Sequence, residues 1–262
     1  MIDFAEEQMN YEPNHKNYRM NYDILTQLKD QLTRYKANHS EKINKALEVT
    51  YTYESNRIEG NTLTLQETAL IIEKGLTIGG KSLNEHLEAI NHAQAIDYIK
   101  DLAKAKTTIS ERDILQIHAL ILQGIDRQNA GGYRSVQVLI SGAEHIPPPP
   151  YKVAEEMEKL MQWYKANRET LHPVELSAEM HERLVSIHPF TDGNGRTSRL
   201  LMNLILLQGG YPIAILKGDT ESRLQYYNAL EEAQVRNNKQ PFKSLIYESV
   251  KNGLNRLLDI VK

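Results

Sequence analysis

His188-Pro189-Phe190-Thr191-Asp192-Gly193-Asn194-Gly195-Arg196-Thr197-Ser198-Arg199 interrupts an otherwise helical sequence. Residues before it fit a helix ending at Ile187, and residues after it fit one beginning near Asn194. Pro189 disfavours helical geometry at His188, so the imidazole falls at a helix end facing a loop. Gly193 and Gly195 let backbone amides approach a ligand with no Cβ in the way. The start of the next helix directs unpaired N–H groups and the positive end of its dipole at the same point. An anion belongs there, and a phosphate fits best. Arg196 and Arg199 are neighbours on that helix, and each offers a fork of donors to phosphate oxygens. Asp192 is the loop's carboxylate, of the kind that supplies an oxygen to Mg²⁺ beside phosphates. An imidazole with an ordinary pKa of about 6.5 suits a general base near neutral pH. Singly, a helix-end histidine, a glycine turn or an arginine pair is commonplace. Their co-occurrence specifies phosphoryl or nucleotidyl transfer, in which positioning and charge stabilisation do most of the catalysis.

Outward from this stretch the pattern stays helical. Ser40 precedes Ile43, Ala46, Leu47, Thr50 and Tyr51, which share one face at a 3.6-residue period, and Gly60 can close that helix. Thr64 with Glu67 reads as a capping box for a helix ending near Gly75. Ser82 with Glu85 repeats the signal and leads into Leu87, Ile90 and Ala93. Ser110 opens a helix with Ile114, Leu115, Ile117 and Ile121 facing inward. Val138-Leu139-Ile140-Ser141 lies in a β-branched run that turns at Gly142 and meets Pro147–Pro150. The spacing predicts a short hairpin whose second arm ends in polyproline conformation. Helices follow from near Val153, over Pro173 to Ile187, over Leu200 to Gln208, and over about 221–236 and 241–259.

Composition narrows the function. The chain has 262 residues, net charge −3, 40% hydrophobic and 25% charged residues, and no cysteine. That balance argues against nucleic acid as a partner, because such affinity comes from a basic surface. Disulfides and Cys-ligated zinc are excluded. His181-Glu182 begins a zinc-protease pattern, but Val185 stands where the second ligand belongs. The apolar stretch from Leu200 to Leu207 is far short of the roughly 20 residues that span a bilayer. The acidic N-terminus does not read as a secretory signal, so the expectation is a cytoplasmic protein with no membrane partner.

The segment from His188 to Arg199 resembles the Fic motif, HPFx(D/E)GNGRxxR, at every specified position, and the likeness extends from about Ser110 to about residue 245. The resemblance implies an all-α fold: a Fic-type helical core with a small β-hairpin flap and extra N-terminal helices. It divides the chain into an N-terminal helical region (1–109), a Fic/Fido domain (110–247) and a C-terminal helix end (248–262). It implies a protein adenylyltransferase that moves AMP from Mg-ATP to a Ser, Thr or Tyr hydroxyl of a target protein, the chain itself included. His188 would be the base, Phe190 would anchor the loop in the core, and Asp192 would hold Mg²⁺. Gly193, Asn194 and Gly195 would cradle the phosphates, with Thr197 and Ser198 on the same turn. Arg196 would hold the loop and phosphate chain, and Arg199 the γ-phosphate. Val138 to Ser141 would form a flap over the nucleotide whose edge pairs with an extended target segment. Tyr226, Tyr227 and Gln234 would lie on the adenine side, Gln234 replacing a frequent Asn; by itself the tyrosine pair also reads as ordinary core.

Ser55-Asn56-Arg57-Ile58-Glu59-Gly60-Asn61 resembles the family's inhibitory motif, (S/T)xxxE(G/N), on a helix over about 40–60. From spacing alone it reads rather as a capped, solvated helix end, and the loop at His188–Arg199 reverses that preference. A carboxylate at Glu59 sits at the unfavourable end of the helix dipole and is better placed if a cation meets it. By the resemblance that cation is Arg199, and Glu59 takes the γ-phosphate position. Removal of AMP, transfer of another phosphate-linked group, or a non-catalytic binding module are the alternatives on the same fold. A homodimer is open.

Overall fold

A computed structural model of the chain describes residues 20–35 and 41–262. Among the described residues it contains ten α-helices: α1 (Tyr22–Arg34), α2 (Glu41–Ile58), α3 (Leu65–Lys74), α4 (Leu83–Ala105), α5 (Glu111–Ile121), α6 (Val153–Asn167), α7 (Pro173–Ile187), α8 (Asn194–Gln208), α9 (Thr220–Val235) and α10 (Gln240–Val261). The expected all-α architecture is present, and none of these helices is long and apolar enough to cross a membrane. Ser40, the expected start of α2, lies outside the described residues. Helix α1 adds to the helices expected from sequence; Asn21 caps it through an Asx contact to the Asp23 amide at 3.1 Å. Helix α10 runs unbroken across position 248.

Local chemistry sets the boundaries. Reciprocal capping boxes start α3 (Thr64 with Glu67), α4 (Ser82 with Glu85) and α5 (Ser110 with Asp113), each satisfying helix-start amides that would otherwise lack partners. Gly75 ends α3 in the left-handed conformation.

Helix α8 is the axis of the fold. It is buried on all sides from Arg196 to Leu206, the mark of a central helix. Leu200, Leu201, Leu204 and Ile205 join one apolar cluster, built with α4, α5, α6 and α7. Met202 and Leu206 join a second, which includes Leu25 of α1, Ile58 of α2 and the inner face of α10. Each such side chain contributes about 1.5–3 kcal/mol by leaving water. Asn203 is tolerated in this setting because its amide exchanges two hydrogen bonds with the backbone of Ala214, at 2.8 and 3.1 Å.

Three local readings are corrected. The expected α2 face is met only in part: Tyr51 is buried and Ile43 and Leu47 pack against the second cluster, but Ala46 is exposed, and Val49, Thr52, Ser55, Asn56 and Ile58 also turn inward. Helix α4 buries His86, Ala89, His92, Ile96 and Ile99, leaving Ile90 exposed. Several inward positions are polar, among them Thr52, which meets His92 Nδ1 at 3.1 Å, so an apolar period does not trace these faces. The predicted hairpin has no strand ladder, although Ala143 and Ile140 close its turn and Pro149 adopts polyproline angles. Pro147–Pro150 have no N–H to donate. Side chains supply the donors instead: Gln137 reaches the carbonyls of Val138 and Pro147, and Arg134 those of Val136 and Pro148.

Candidate active site

Helix α7 ends at His188, which takes the left-handed conformation (φ 49°, ψ 58°) while its amide still donates to Leu184. That geometry is uncommon for a residue with a Cβ and turns the chain sharply into the loop. Phe190 follows, fully buried and stacked on His118 of α5 with ring centroids 3.6 Å apart. His118 is held from both sides. Its Nδ1 accepts from the Gly131 amide at 3.0 Å, so Nε2 carries the proton and donates to the Asp192 carbonyl at 3.0 Å. Gly193 packs against this ring: a Cβ there would come within 3.3 Å of His118 and Ile121, and its φ is +76°.

The loop also closes on itself. Asn194 Oδ1 accepts from the Phe190 amide at 3.0 Å, and its Nδ2 donates to the Phe190 carbonyl at 2.9 Å. The Asn194 side chain is thus engaged in loop closure. Helix α8 starts on Gly193 with no side-chain cap among the described residues. Its first amides therefore remain suited to an anion. The hydroxyls of Thr197 and Ser198 are buried with no hydrogen-bond partner among the described residues.

Both arginines are buried. Arg196 bonds Glu88 of α4 at 3.1 Å and Asp192 at 3.0 Å. Arg199, 1% exposed, donates from Nε to the Ser55 hydroxyl at 3.0 Å and from Nη2 to the Ser55 carbonyl at 2.9 Å. The same Nη2 meets Glu59 Oε1 at 2.6 Å, and Nη1 faces the Tyr226 hydroxyl at 3.5 Å. Burial works against the Arg199 cation; the Glu59 carboxylate more than offsets it and holds the guanidinium above its ordinary pKa. Glu59 stands just past the last residue of α2, where Gly60 takes φ +98° and the Asn61 amide returns to the Asn56 carbonyl. It also lies over the glycine turn, since a Cβ on Gly195 would collide with Glu59 Oε1. Asn61 itself points away, to Glu85 and Glu88.

The His188 ring is mostly buried, which pushes its pKa down to about 4; Arg134 pushes the same way, while the Val185 carbonyl and Glu59 oppose. The imidazole is therefore neutral at pH 7, the form that accepts a proton. Asp192 is open to solvent, its side chain 65% exposed, with Oδ1 against the Gly193 amide and Oδ2 on Arg196. One exposed carboxylate beside an anion-binding turn is a donor set that fits Mg²⁺, which draws its other ligands from phosphates and water.

The remaining expected residues lie around this centre. Leu139 and Ser141 are exposed and Val138 and Ile140 partly buried on the flap segment. Tyr226 is buried behind Arg199, with its hydroxyl also on His181 Nε2 at 3.2 Å. Tyr227 is 43% exposed and donates to the Ile58 carbonyl at the end of α2. Gln234, further along α9, keeps Nε2 buried without a partner among the described residues. Sequence reasoning misses Arg134, His118 and Glu88. For His118 there is a signal, a polar residue among Ile114, Ile117 and Ile121 on one helix face.

Residues 108–206 match the model of the Fic/DOC family. Fic-1 (residues 134–508) from C. elegans is 33% identical, with a TM-score of 0.80, covering 91% of this chain and 72% of that one. The chain belongs to the Fic/DOC family. A Fic domain containing signaling protein from Bacteroides thetaiotaomicron is 29% identical with a TM-score of 0.82, covering 90% of this chain and 96% of that one. A relative from Nematostella vectensis named protein adenylyltransferase Fic is 42% identical over 69% of this chain and 42% of its own length. Its namesake from Drosophila melanogaster is 40% identical over 79% of this chain and 41% of its own. The Fic chain thus spans about two fifths of the length of these curated relatives.

Buried histidines also set this Fic chain's response to acid. Burial holds His118 and His188 near pKa 4 and keeps His92 and His181 well below the ordinary value. The unfolded chain takes up protons as pH falls through about 6.5, whereas the folded chain resists until near pH 4. Stability is therefore fully present above pH 6.5 and drains away below it, by about 1.4 kcal/mol per pH unit for each histidine. Urea midpoints at pH 7.5 and pH 5.0 check this; the midpoint should be clearly lower at pH 5.0, and equal midpoints would contradict it.

Proposed function

We propose that this chain is a protein adenylyltransferase, transferring AMP from Mg-ATP to a Ser, Thr or Tyr hydroxyl of a target protein, and that Glu59 restrains it. The observation that carries the reading is the pairing of Glu59 with Arg199 directly over the glycine turn and within the electrostatic reach of His188. The start of α8 binds the phosphate chain through its amides, and Arg196 keeps the loop in shape from behind. Arg199 takes the terminal phosphate once Glu59 withdraws, exchanging one anionic partner for another. Asp192 would hold Mg²⁺, which when bound neutralises charge on the phosphates. His188, neutral and buried at Nδ1, receives the acceptor hydroxyl's proton at Nε2. The oxygen attacks the α-phosphorus, the α–β phosphoanhydride bond breaks, and pyrophosphate leaves with that bond's electrons. Names of the relatives support the same chemistry. Incubation of the Glu59→Gly protein with ATP labelled at either the α or the γ phosphate tests the reading. Label should enter protein from the α position and leave as pyrophosphate from the γ position; γ label on protein would mean phosphate transfer instead.

A further inference from the structure

Arg134 is 3% exposed, carries a full charge and has no carboxylate partner among its hydrogen bonds. A buried cation with only carbonyls around it needs good geometry to be tolerated. Its Nε donates to the His188 carbonyl at 2.8 Å, and its own amide donates to the Pro189 carbonyl at 3.0 Å. The other two arms of the fork reach the carbonyls of Val136 and Pro148, one on each side of the flap turn.

One residue thus ties both arms of the flap segment to the two peptide planes that follow the His188 Cα. The orientation of the His188 carbonyl is the ψ angle of His188, and ψ there is 58° in a left-handed corner that a residue with a Cβ does not adopt by preference. Such a conformation persists when its surroundings over-determine it. We propose that Arg134 is a positioning residue for the proton acceptor: it holds the His188 corner in place and makes the placement of the flap and of the imidazole a single event. The proposal rests on His188 acting as the base of AMP transfer.

The groups that face His188 are Glu59 from the end of α2 and Arg134 and His145 from the segment between α5 and α6, His145 donating to the Ser186 carbonyl at 2.8 Å. Loss of the Arg134 charge removes one influence that disfavours imidazolium. Lysine would keep that charge but, as a point donor on a flexible stem, cannot reproduce a planar fork over three carbonyls.

The test uses the Glu59→Gly protein as parent and adds Arg134→Gln or Arg134→Lys. Pyrophosphate release from Mg-ATP gives kcat and KM, and NMR of histidine-labelled protein follows the His188 ring, assigned by its loss in His188→Ala. Arg134→Gln should lower kcat about 100-fold, the scale of a displacement near 1 Å at a reacting group, with KM for ATP within about threefold of the parent. Its His188 ring should titrate at higher pH than in the parent. Arg134→Lys should return the titration close to the parent value while kcat stays at least tenfold low. If Arg134→Gln keeps kcat within threefold, or loses through KM alone, or leaves the His188 titration unmoved, Arg134 is not a positioning residue. If the parent itself releases no pyrophosphate, the functional reading fails separately. The NMR spectrum then decides whether Arg134 sets the place of His188, since it needs no turnover: the His188 ring shifts at pH 7 should move in Arg134→Gln and in Arg134→Lys alike, and ring shifts unmoved in Arg134→Lys would overturn the proposal. Arg134→Lys keeps the test open should Arg134→Gln not fold.

Discussion

Glu59→Gly protein should transfer AMP about 100-fold faster than the unaltered chain. Carboxylate and phosphate compete for a single guanidinium. Arg199 is fully buried and already carries two bonds to Ser55, so the edge that meets Glu59 at 2.6 Å is the edge an incoming phosphate must use. A hydrogen bond to a charged group contributes about 1.5–3 kcal/mol, and each 1.4 kcal/mol is a factor of ten. Displacing Glu59 therefore costs the productive complex one to two decades, which glycine restores. Glycine also clears the space over Gly195, where the carboxylate now lies closer than a Cβ would tolerate. Glu59→Gln should fall between the two, because it keeps the shape and loses the charge. Pyrophosphate release from Mg-ATP, with radiolabel counted on protein, reads the result. Equal rates for the unaltered and Glu59→Gly proteins would show that the Glu59–Arg199 pair does not restrain transfer.

His188→Ala, placed in the Glu59→Gly protein, should lower transfer by about 10²–10⁴-fold, the usual contribution of a positioned base. Nucleotide affinity should change little, since in the proposed reading the phosphates are held by the start of α8 and by Arg199 rather than by the imidazole. The two measurements together separate chemistry from binding. The His188 ring is held near pKa 4 by burial, so in the free protein its base form is already complete at pH 6. The kcat/KM of the Glu59→Gly protein should accordingly show no acid limb from His188 between pH 6 and pH 8. A His188→Ala protein with a rate within threefold of its parent would remove the imidazole from the mechanism.

Much of the site is legible in the sequence. The loop from His188 to Arg199, the helix break at His188, the helix start at Asn194 and the two capping boxes at Thr64 and Ser82 are short-range signals, written in residues a few positions apart. The Glu59–Arg199 contact joins residues far apart in the chain, yet two motifs point to it. What stays hidden has a common physical character. Arg134 directs its charge at backbone carbonyls, which carry no sequence signature. Glu88 reaches Arg196 from an inward face of α4 that mixes histidine, asparagine and alanine, so hydrophobic period misplaces that face. The flap reads as a hairpin because Val136, Val138 and Ile140 favour strands. Its prolines forbid the ladder, and side chains of Arg134 and Gln137 hold the arms together instead. The Asn194 side-chain amide pairs with both the amide and the carbonyl of Phe190, which the sequence does not announce, and so preforms the loop.

With the loop preformed, little beyond Glu59 has to move for turnover in the proposed reading. Phe190, His118 and the Gly131 amide fix one side of the loop, and Arg196 with Glu88 fixes the other. Binding then requires exchange at one edge of Arg199 rather than construction of a site, a low ordering cost.

A structure of the Glu59→Gly protein with Mg-ATP tests the central claim most directly. The terminal phosphate should lie on the Arg199 edge that Glu59 now occupies, the phosphate chain along the start of α8, and His188 Nε2 open toward the α-phosphorus. Nucleotide bound away from Arg199, or an imidazole turned from the α-phosphorus, would contradict it.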